Sequence, residues 1–446
     1  MRPNLGSLYG REGPNGEESE TTVNLGDAMR QKFRQLELPF GARGEASCEE
    51  GSGEASTAAH ETGRSGTDDT CLMERVVERS NVIVALKRVQ KNKGSPGIDG
   101  MTVEELRLHL RETWPALREQ LLTGTYRPQP VKRQLIPKSD GGMRELGIPT
   151  ALDRFVQQAL LQVLQPQFDP TFSEHSYGFR PGRRAHDAVC RAQKYIQEGL
   201  RWVVDVDLEK FFDRVNHDVL MGRLAKRIAD RRVLGLIRHY LEAGIMAHGV
   251  VVERQEGTPQ GGPLSPLLAN VLLDEVDKAL EKRGHAFVRY ADDCNVYVRS
   301  KRAGERAMAA LRDQFAKLRL RINEAKSAVA RPWTRKFLGY SFWVGADREV
   351  KRKVARKALE TMKHRVRALT GRSQGRSLDS VIGKLRSYLL GWKTYFHLAD
   401  TPGVFRELDG WIRRRLRSLQ LNHWKNASTI YRELRKRGIP DLVARG

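Results

Sequence analysis

The chain has few cysteines and no long apolar run, and each shortage argues against a class of protein. Its four cysteines, Cys48, Cys71, Cys190 and Cys294, are scattered without a CxxC pair, a spacing that argues against a zinc site or a disulfide framework. A reducing, intracellular compartment fits this usage better. No stretch of about 18 or more apolar residues is present, so no membrane-spanning helix is expected. The N-terminus also lacks the apolar core of a secretory signal.

The chain also has fewer acidic than basic residues. The 446 residues include 78 Lys and Arg against 54 Asp and Glu, which gives a formal net charge of +24 and a pI near 10.1. Such a charge implies a polyanionic partner, either nucleic acid or an anionic membrane surface. A membrane-surface protein would need an amphipathic helix with a broad apolar face, and no strong one is present.

The charge is divided unevenly along the chain. Residues 1–70 contain 7 Lys and Arg against 13 Asp and Glu, whereas residues 351–446 contain 24 against 7. The surface for a polyanionic partner is therefore expected in the C-terminal fifth. The segment 1–72 is acidic and rich in Gly, Glu, Ser and Thr, so it is predicted to be a disordered extension.

From residue 73 onward the pattern predicts regular structure. Strands are predicted around the turn Ser139–Gly142, at 201–208, at 286–299 and at 336–344, with helices between them, including one long helical stretch at 217–243. Between 352 and 420 the pattern predicts three basic amphipathic helices. Length and pattern together indicate two or three domains, an α/β (α+β) catalytic body followed by an α-helical appendage.

Two segments contain acidic residues where a fold gains little from them. Asp292 and Asp293 lie between two β-rich runs, at the expected tip of a hairpin. Their mutual repulsion calls for a cation, and hard oxygen ligands favour Mg²⁺. Asp205 and Asp207 alternate with valines in an apolar strand, so they share one face. Taken singly, an exposed turn and a salt-bridged strand end remain alternatives.

Together the segments predict a specific chemistry. A strand-end aspartate and an Asp-Asp hairpin about 85 residues apart provide the carboxylates that two-metal phosphoryl transfer needs. One metal would activate a primer 3′-hydroxyl, and the other would hold the nucleotide triphosphate and the leaving pyrophosphate.

Six ordered motifs carry a family resemblance. Tyr290-Ala291-Asp292-Asp293 matches the acidic hairpin of reverse transcriptases, and Asp207 followed by Phe212-Asp213 matches their first acidic motif. The other four motifs run from Lys93 to Gly100, Ser176 to Pro181, Thr258 to Asn270 and Phe337 to Tyr340. Over residues 73–425 the chain is similar to group II intron reverse transcriptase–maturases. The resemblance implies a right-hand polymerase with fingers at 73–200, a palm with an antiparallel sheet at 201–350 and an α-helical thumb at 351–421.

The resemblance also implies roles for individual residues. Asp207, Asp292 and Asp293 would be catalytic and would bind two Mg²⁺ ions, for which Mn²⁺ can substitute, with the backbone carbonyl of Leu208 as a further ligand. The expected nucleotide-binding residues are Lys138, Arg144, Phe212, Gln260 and Lys326, with Phe212 excluding a 2′-hydroxyl. The expected primer- and template-binding residues are Arg180, Phe337, Leu338, Gly339 and Tyr340. For the residues outside the acidic set, ordinary packing or surface roles remain alternatives.

The thumb, or maturase region, interleaves Arg and Lys with aromatic residues such as Trp392 and Trp411. Cations contact phosphates and aromatic rings stack on unpaired bases, although both tryptophans also fit a helical core. The expected partners are group II intron RNA, an RNA template, a DNA primer or target and dNTPs. The oligomeric state is left open, a homodimer included. Only a short basic tail, 422–446, follows the thumb, so the expectation is a form without a nuclease domain, like the class C group.

These features predict an RNA-directed DNA polymerase that copies intron RNA and helps it to splice. It is expected in the bacterial cytoplasm, associated with the nucleoid or with RNA. Two alternatives stay open. One is a maturase that binds RNA without polymerising, against which the intact acidic set argues. The other is a host-adopted reverse transcriptase in DNA repair or defence, which the nucleotide sequence around the gene would identify.

Overall fold

The computed structural model describes residues 71–137, 142–247, 250–252, 256–258, 261–371 and 375–445. All of these residues belong to one compact unit. The predicted acidic extension lies outside the described residues, except for its last two positions. Lys138, most of the turn Ser139–Gly142 and Gln260 also lie outside them.

Helices around a small sheet form the N-terminal part of the described chain. The elements are α1 (Leu72–Val76), α2 (Arg79–Asn92), α3 (Leu106–Thr123), β1 (Val131–Pro137), β2 (Met143–Ile148), α4 (Ala151–Phe168) and α5 (Ala185–Gln197). The antiparallel pair β1–β2 confirms the predicted strands on either side of a turn. The Thr150 hydroxyl caps α4 by accepting the Asp153 amide at 3.0 Å and donating to the Asp153 carboxylate at 2.7 Å, which satisfies an otherwise free helix terminus.

A second sheet lies in the middle part of the chain. The elements are β3 (Trp202–Val206), α6 (His217–Leu224), α7 (Arg231–Glu242), β4 (Ile245–Ala247), β5 (Val250–Val252), α8 (Ser265–Lys282), β6 (Ala286–Tyr290), β7 (Asp293–Val298), α9 (Lys301–Lys317) and β8 (Ala328–Ala330). The strand order is β6-β7-β3-β8, and every neighbouring pair is antiparallel. This confirms the expected antiparallel sheet. Val204, Val206 and Val296 are fully buried in the core on one of its faces.

The helical stretch expected at 217–243 is two helices, α6 and α7. Asp230 ends the connection between them, because its carboxylate accepts the Arg232 amide at 2.9 Å as the cap of α7. The same carboxylate accepts the amide of Met73 at 2.9 Å. One buried acid therefore caps α7 and receives the start of α1, a long-range contact that local periodicity does not reveal.

Two strand pairs cross the expected divisions between domains. β4 lies within the range assigned to the palm, yet it pairs in parallel with β1 of the expected fingers. The palm–thumb boundary at 350/351 falls inside β10 (Val350–Val354), which pairs with β9 (Tyr340–Val344). The expected boundary therefore divides a hydrogen-bonded strand pair, and the domain bounds stay a prediction.

The C-terminal part is helical, as expected. It contains α10 (Arg356–Leu369), α11 (Leu378–Tyr395), α12 (Pro402–Trp424), α13 (Ala427–Lys436) and α14 (Asp441–Arg445). The expected basic tail is thus largely helical, since α12 runs into it and α13 follows. Among the described residues, no helix has the length and apolar character needed to cross a lipid bilayer.

Candidate active site

The strand register brings the predicted acidic residues together. In the β3–β7 pair, Val206 lies across from Cys294 and Asp205 across from Asn295. Continuing this register by one residue places Asp207 across from Asp293. Facing residues on antiparallel strands are about 4.5–5.5 Å apart between Cα atoms. The first acidic motif and the hairpin therefore meet at one end of the sheet, on the face that Asp205 shares.

The hairpin between β6 and β7 is as tight as the sequence predicts. Tyr290 pairs with Asp293, so only Ala291 and Asp292 form the turn. Ala291 has a φ of 57°, a left-handed conformation that is unfavourable for a residue with a Cβ atom and persists only where its surroundings enforce it. This turn carries Asp292 at its tip.

Gly178 packs directly behind this turn. A Cβ atom at Gly178 would lie 2.2 Å from the backbone nitrogen of Ala291, far inside van der Waals contact. The preceding residue, Tyr177, donates its amide to the carbonyl of Arg289 at 2.9 Å. Only glycine allows the chain to pass this close to the hairpin.

A buried arginine holds the other side of the turn. The Arg289 side chain donates to the carbonyl of Ala291 at 2.9 Å, to the Asn270 amide oxygen at 2.9 Å and to the Asp277 carboxylate at 2.6 Å. Asn270 in turn donates to the carbonyl of Gly178 at 3.0 Å. Arg289 and Gly178 contact the hairpin turn directly, and Asn270 and Asp277 are connected to it through hydrogen bonds to these two residues.

The carboxylates of Asp205, Asp207, Asp292 and Asp293 form an acidic cluster in which negative charges lie close together. The Asp293 side chain reaches solvent at its edge of the sheet but is otherwise surrounded by protein. Loss of solvent, followed by the negative charges of Asp292, Asp207 and Asp205, raises the pKa of Asp293 to about 7. These charges oppose one another, and a divalent cation would relieve their repulsion.

Two cationic side chains contact the acidic strand. Arg335 donates to the Asp205 carboxylate at 2.7 Å. Burial raises the pKa of Asp205, and Arg335 opposes that rise. The Lys326 ammonium lies 3.9 Å from the Asp207 carboxylate, so this predicted nucleotide-binding residue lies at the acidic cluster. Asp205 is thus engaged by protein, whereas Asp207 has a more exposed partner.

The backbone after Asp207 is fixed by a neighbouring loop. The Asp207 carbonyl accepts the Asn323 amide at 2.8 Å, and the Glu209 amide donates to Arg321 at 2.9 Å. Neither bond uses the carbonyl of Leu208, whose side chain is buried. This arrangement is compatible with the predicted ligand role of that carbonyl, which stays a prediction.

Phe212 lies just beyond the acidic strand. Its neighbour Phe211 is buried in the core, and Phe212 packs edge-on against it with ring centroids 5.0 Å apart. The Phe212 carbonyl accepts the amide of Thr258 at 2.7 Å. The motif that contains Gln260 therefore starts in contact with Phe212.

The glycines after Gln260 pack against the first sheet and α4. A Cβ atom at Gly261 would lie 2.6 Å from the Gly147 carbonyl, and one at Gly262 would lie 2.3 Å from the Gln157 amide oxygen. Gly147 belongs to β2, the strand that contains Arg144. The motif that contains Gln260 therefore contacts both Phe212 of the first acidic motif and β2. The side chain of Arg144 lies outside the described part of the structure.

The expected primer-binding turn is formed and joins the thumb. Phe337 and Tyr340 exchange two backbone hydrogen bonds of 2.9 Å around Leu338 and Gly339. The Tyr395 hydroxyl of α11 donates to the Leu338 carbonyl at 2.8 Å. Phe337 and Tyr340 are buried, whereas Leu338 and Gly339 are half-buried. The primer-binding role of these four residues stays a prediction.

Arg180, which is expected to contact primer or template, is buried and bonded to protein. The residue is 3% exposed, and its guanidinium donates to the Asp169 carboxylate at 2.9 Å and to the Ser173 carbonyl at 2.6 Å. A side chain engaged in this way stabilises the loop before α5. No sequence motif pointed to Asp169 as its partner.

Cation binding fits the chemistry of the donor set. Asp207, Asp292 and Asp293 supply hard oxygen ligands, which Mg²⁺ prefers. Burial and the neighbouring negative charges together raise the pKa of Asp293. Within the described residues, no group of three or more His, Cys, Asp or Glu side chains is arranged to hold a metal ion by itself.

Sequence reasoning gave no individual role to Gly178, Asn270, Asp277 and Arg289, although Gly178 and Asn270 lie within two of the quoted motifs. Three of them left a signal. Asn270 and Asp277 are polar residues seven positions apart in a helix that is otherwise largely apolar on its buried side, and Arg289 interrupts an apolar strand. Their partners are distant in sequence, so the signals did not indicate which groups they contact.

Two family models match this chain. A reverse transcriptase (RNA-dependent DNA polymerase) family model matches residues 136–342, and a group II intron maturase-specific domain model matches residues 359–438. Together they cover more than half of the chain. The second match extends past the expected end of the thumb at 421 and includes α13.

Individual relatives match smaller parts. Protein YkfC of Escherichia coli (strain K12) is 40% identical over 197 residues, which are 43% of this chain and 52% of that protein. The group II intron-encoded protein LtrA of Lactococcus lactis subsp. cremoris is 37% identical over 203 residues, 44% of this chain and 32% of that protein. The chain therefore spans about half or less of the length of these relatives. A chain of a partial Cas6-RT-Cas1–Cas2 complex aligns over 55% of this chain and 42% of its own length, with 26% identity and a TM-score of 0.36.

Proposed function

Because this chain belongs to the group II intron reverse transcriptase–maturases, we propose that it is an RNA-directed DNA polymerase that binds intron RNA through its C-terminal helices. The observation that carries the proposal is the register of β3 and β7, which brings Asp207 next to Asp293 and the Asp292 turn. Acids so distant in sequence meet only through the fold, at the edge where the nucleotide motifs converge.

The acidic side chains have separate tasks in this proposal. Asp207, Asp292 and Asp293 hold the divalent metals, and the carbonyl of Leu208 adds a ligand. When bound, two Mg²⁺ ions activate the primer 3′-hydroxyl and neutralise the triphosphate. Asp205 is paired with Arg335 and serves the site by positioning its strand.

The nucleotide is held by residues on three sides of the acidic cluster. Lys138 and Arg144 bind the triphosphate from the β1–β2 side, and Gln260 contacts the incoming nucleotide. Lys326, 3.9 Å from Asp207, moves its ammonium to the leaving pyrophosphate. Phe212 packs under the sugar and excludes a 2′-hydroxyl. The Leu338-Gly339 turn positions the primer end.

Primer extension by the purified full chain tests the polymerase proposal. A DNA primer on an RNA template should be extended with Mg²⁺, and a chelator should abolish the reaction. Asp292→Asn should abolish extension while RNA affinity stays within a few-fold. The matched control is Asp218→Asn, which removes a charge at an exposed position that pairs with Arg238. A wild-type protein without extension would disprove the activity, and an active Asp292→Asn variant would disprove the metal assignment.

The maturase-specific match and the excess of 24 Lys and Arg over 7 Asp and Glu after residue 350 support a second activity, assistance of intron splicing. The substrate is proposed as group II intron RNA. Adding the protein should accelerate splicing of such an RNA in vitro at a Mg²⁺ concentration too low for self-splicing. Asp292→Asn should retain this effect, because binding uses the helices and not the acidic cluster. Equal splicing rates with and without protein would contradict the proposal.

A further inference from the structure

A helix beneath the sheet presents two buried polar side chains to the acidic hairpin. Asn270 and Asp277 are seven residues apart on α8, so they lie two turns apart on one helix face. They are 1% and 0% exposed, and Arg289 between them is 1% exposed. A fully buried ion pair is weak evidence for stability, because desolvation offsets much of the attraction. The geometry of the Arg289–Asp277 ion pair therefore says more about its role than the existence of the pair does.

The guanidinium of Arg289 is almost fully used. Its Nε donates to Asp277 at 2.8 Å, and its Nη2 donates to the same carboxylate at 2.6 Å. Its Nη1 donates to both Asn270 and the carbonyl of Ala291, each at 2.9 Å. The two-point contact with Asp277 fixes the plane of the guanidinium. A fixed plane directs Nη1 at the turn.

The turn requires this support. Ala291 is left-handed, and its backbone is confined between Gly178 on one side and Arg289 on the other. Asn270 links the two sides, since it accepts from Arg289 and donates to the Gly178 carbonyl at 3.0 Å. The residue that follows Ala291 is Asp292, so any shift of the turn moves a proposed metal ligand.

We propose that Asp277, Arg289 and Asn270 form a positioning network that sets the location of Asp292 for metal binding. This inference rests on the proposed function, which assigns Asp292 to the metal site. The three residues do not touch the metal or the substrate. They act through the carbonyl of Ala291 and the Gly178 segment.

Asp277→Asn is the most direct test, because it removes the charge that orients Arg289 and keeps the side-chain shape. At a temperature well below melting, kcat for primer extension should fall roughly 10- to 100-fold, the size expected when a reacting group is misplaced by about 1 Å. The KM for dNTP should change less than about threefold, since the triphosphate contacts are elsewhere. The Mg²⁺ concentration for half-maximal rate should rise.

A matched control separates positioning from simple stability. Asp274 is a buried acid one turn earlier on α8 that accepts the amide of Ser173 and makes no hydrogen bond to Arg289. Asp274→Asn should lower the melting temperature while leaving kcat and the Mg²⁺ dependence unchanged. Asn270→Ala removes one acceptor of Arg289. It should lower kcat and raise the Mg²⁺ concentration for half-maximal rate, as Asp277→Asn does, but by less.

A measurement without catalysis completes the experiment. Mn²⁺ should raise the melting temperature of the wild type, and this rise should be smaller in Asp277→Asn and Asn270→Ala but not in Asp274→Asn. Folded Asp277→Asn with wild-type kcat and metal dependence would overturn the network, and if that variant does not fold, the same result for Asn270→Ala would do so. If the wild type binds Mn²⁺ without extending primers, the proposed function fails while the melting data still test the network. A wild type with neither response would overturn both.

Discussion

Two helices of equal length show how differently the palm and the thumb are built. The 18-residue α8 supports the acidic hairpin and has 12 buried residues, whereas the 18-residue α11 of the thumb has only two, Val381 and Leu385. Helix α8 is packed against protein on several sides, whereas most of α11 is exposed to solvent. Catalysis requires groups held within a fraction of an ångström, whereas binding a polyanion requires many accessible charges.

The same contrast appears in the polar contacts. At the acidic site, side chains such as Arg289 and Asn270 are buried and fully engaged by protein. In the thumb, the cations Arg414 and Arg417 are exposed. Substitutions in the palm should therefore change the chemistry, and substitutions in the thumb should change affinity. Four predictions test that division, from the largest expected effect to the smallest.

The largest effect is expected from Gly178→Ala. The added Cβ atom would lie 2.2 Å from the Ala291 nitrogen, so the hairpin must shift, and extension should fall by about 100-fold or more. RNA affinity should stay unchanged in a filter-binding assay. Gly222→Ala is the control, because a Cβ atom there meets open space on α6. Near wild-type extension by Gly178→Ala would contradict the tight packing behind the turn.

Phe212→Ala should relax sugar discrimination. Removal of the ring should raise ribonucleotide incorporation relative to deoxynucleotide by roughly 10- to 100-fold, the range that a steric pocket contributes. Phe211→Leu is the comparison, since Phe211 is buried in the core and its truncation should lower the melting temperature and leave selectivity intact. Unchanged selectivity in Phe212→Ala would remove that residue from its proposed role.

In the thumb, the double change Arg414→Gln and Arg417→Gln should weaken RNA binding several-fold. The slope of log affinity against log salt should become shallower by about 1 to 2, because each lost phosphate contact releases about one counterion fewer. The kcat at saturating template should not change. The pair Lys301→Gln and Arg302→Gln on α9 removes the same charge from an exposed surface of the palm. Equal loss of affinity in both pairs would show that net charge, not the thumb surface, governs binding.

The smallest effect concerns stability. The pKa of Asp293 is about 7 in the folded protein and about 4 in the unfolded chain. Ionisation of Asp293 therefore costs the folded state free energy, so stability is highest below about pH 4 and is lost as the pH rises through about 7. Asp293→Asn should therefore melt roughly 1–3 °C higher than the wild type above pH 7 in a chelating buffer. The difference should shrink toward pH 4. A lower melting temperature at pH 8 would show that the acidic cluster does not destabilise the metal-free fold. Extension should be lost in the same variant.

Much of the site was predictable because its signals are local. The hairpin of Asp292 and Asp293, the acidic strand of Asp207 and the helical, basic C-terminal region follow from alternation, helical periodicity and charge. The expected boundary at 350/351 falls inside β10 because that strand is basic and short, with the composition of the helices that follow it. The burial of Arg180 was missed because its partner Asp169 lies in another segment and a Gly-Phe-Arg-Pro motif looks like a surface loop.

The order of residues by itself determined the composition of the two regions, the types of their elements and the identity of the acids, because these depend on neighbours within a few positions. Only the tertiary structure decided that Asp207 and Asp293 lie close together at one end of the sheet, that Gly178 contacts Ala291 and that α8 presents Asn270 and Asp277 to Arg289. Strand register and helix packing depend on contacts between segments far apart in the chain. For this reason the chemistry of the site is readable in the sequence, whereas the means of holding it in place are not.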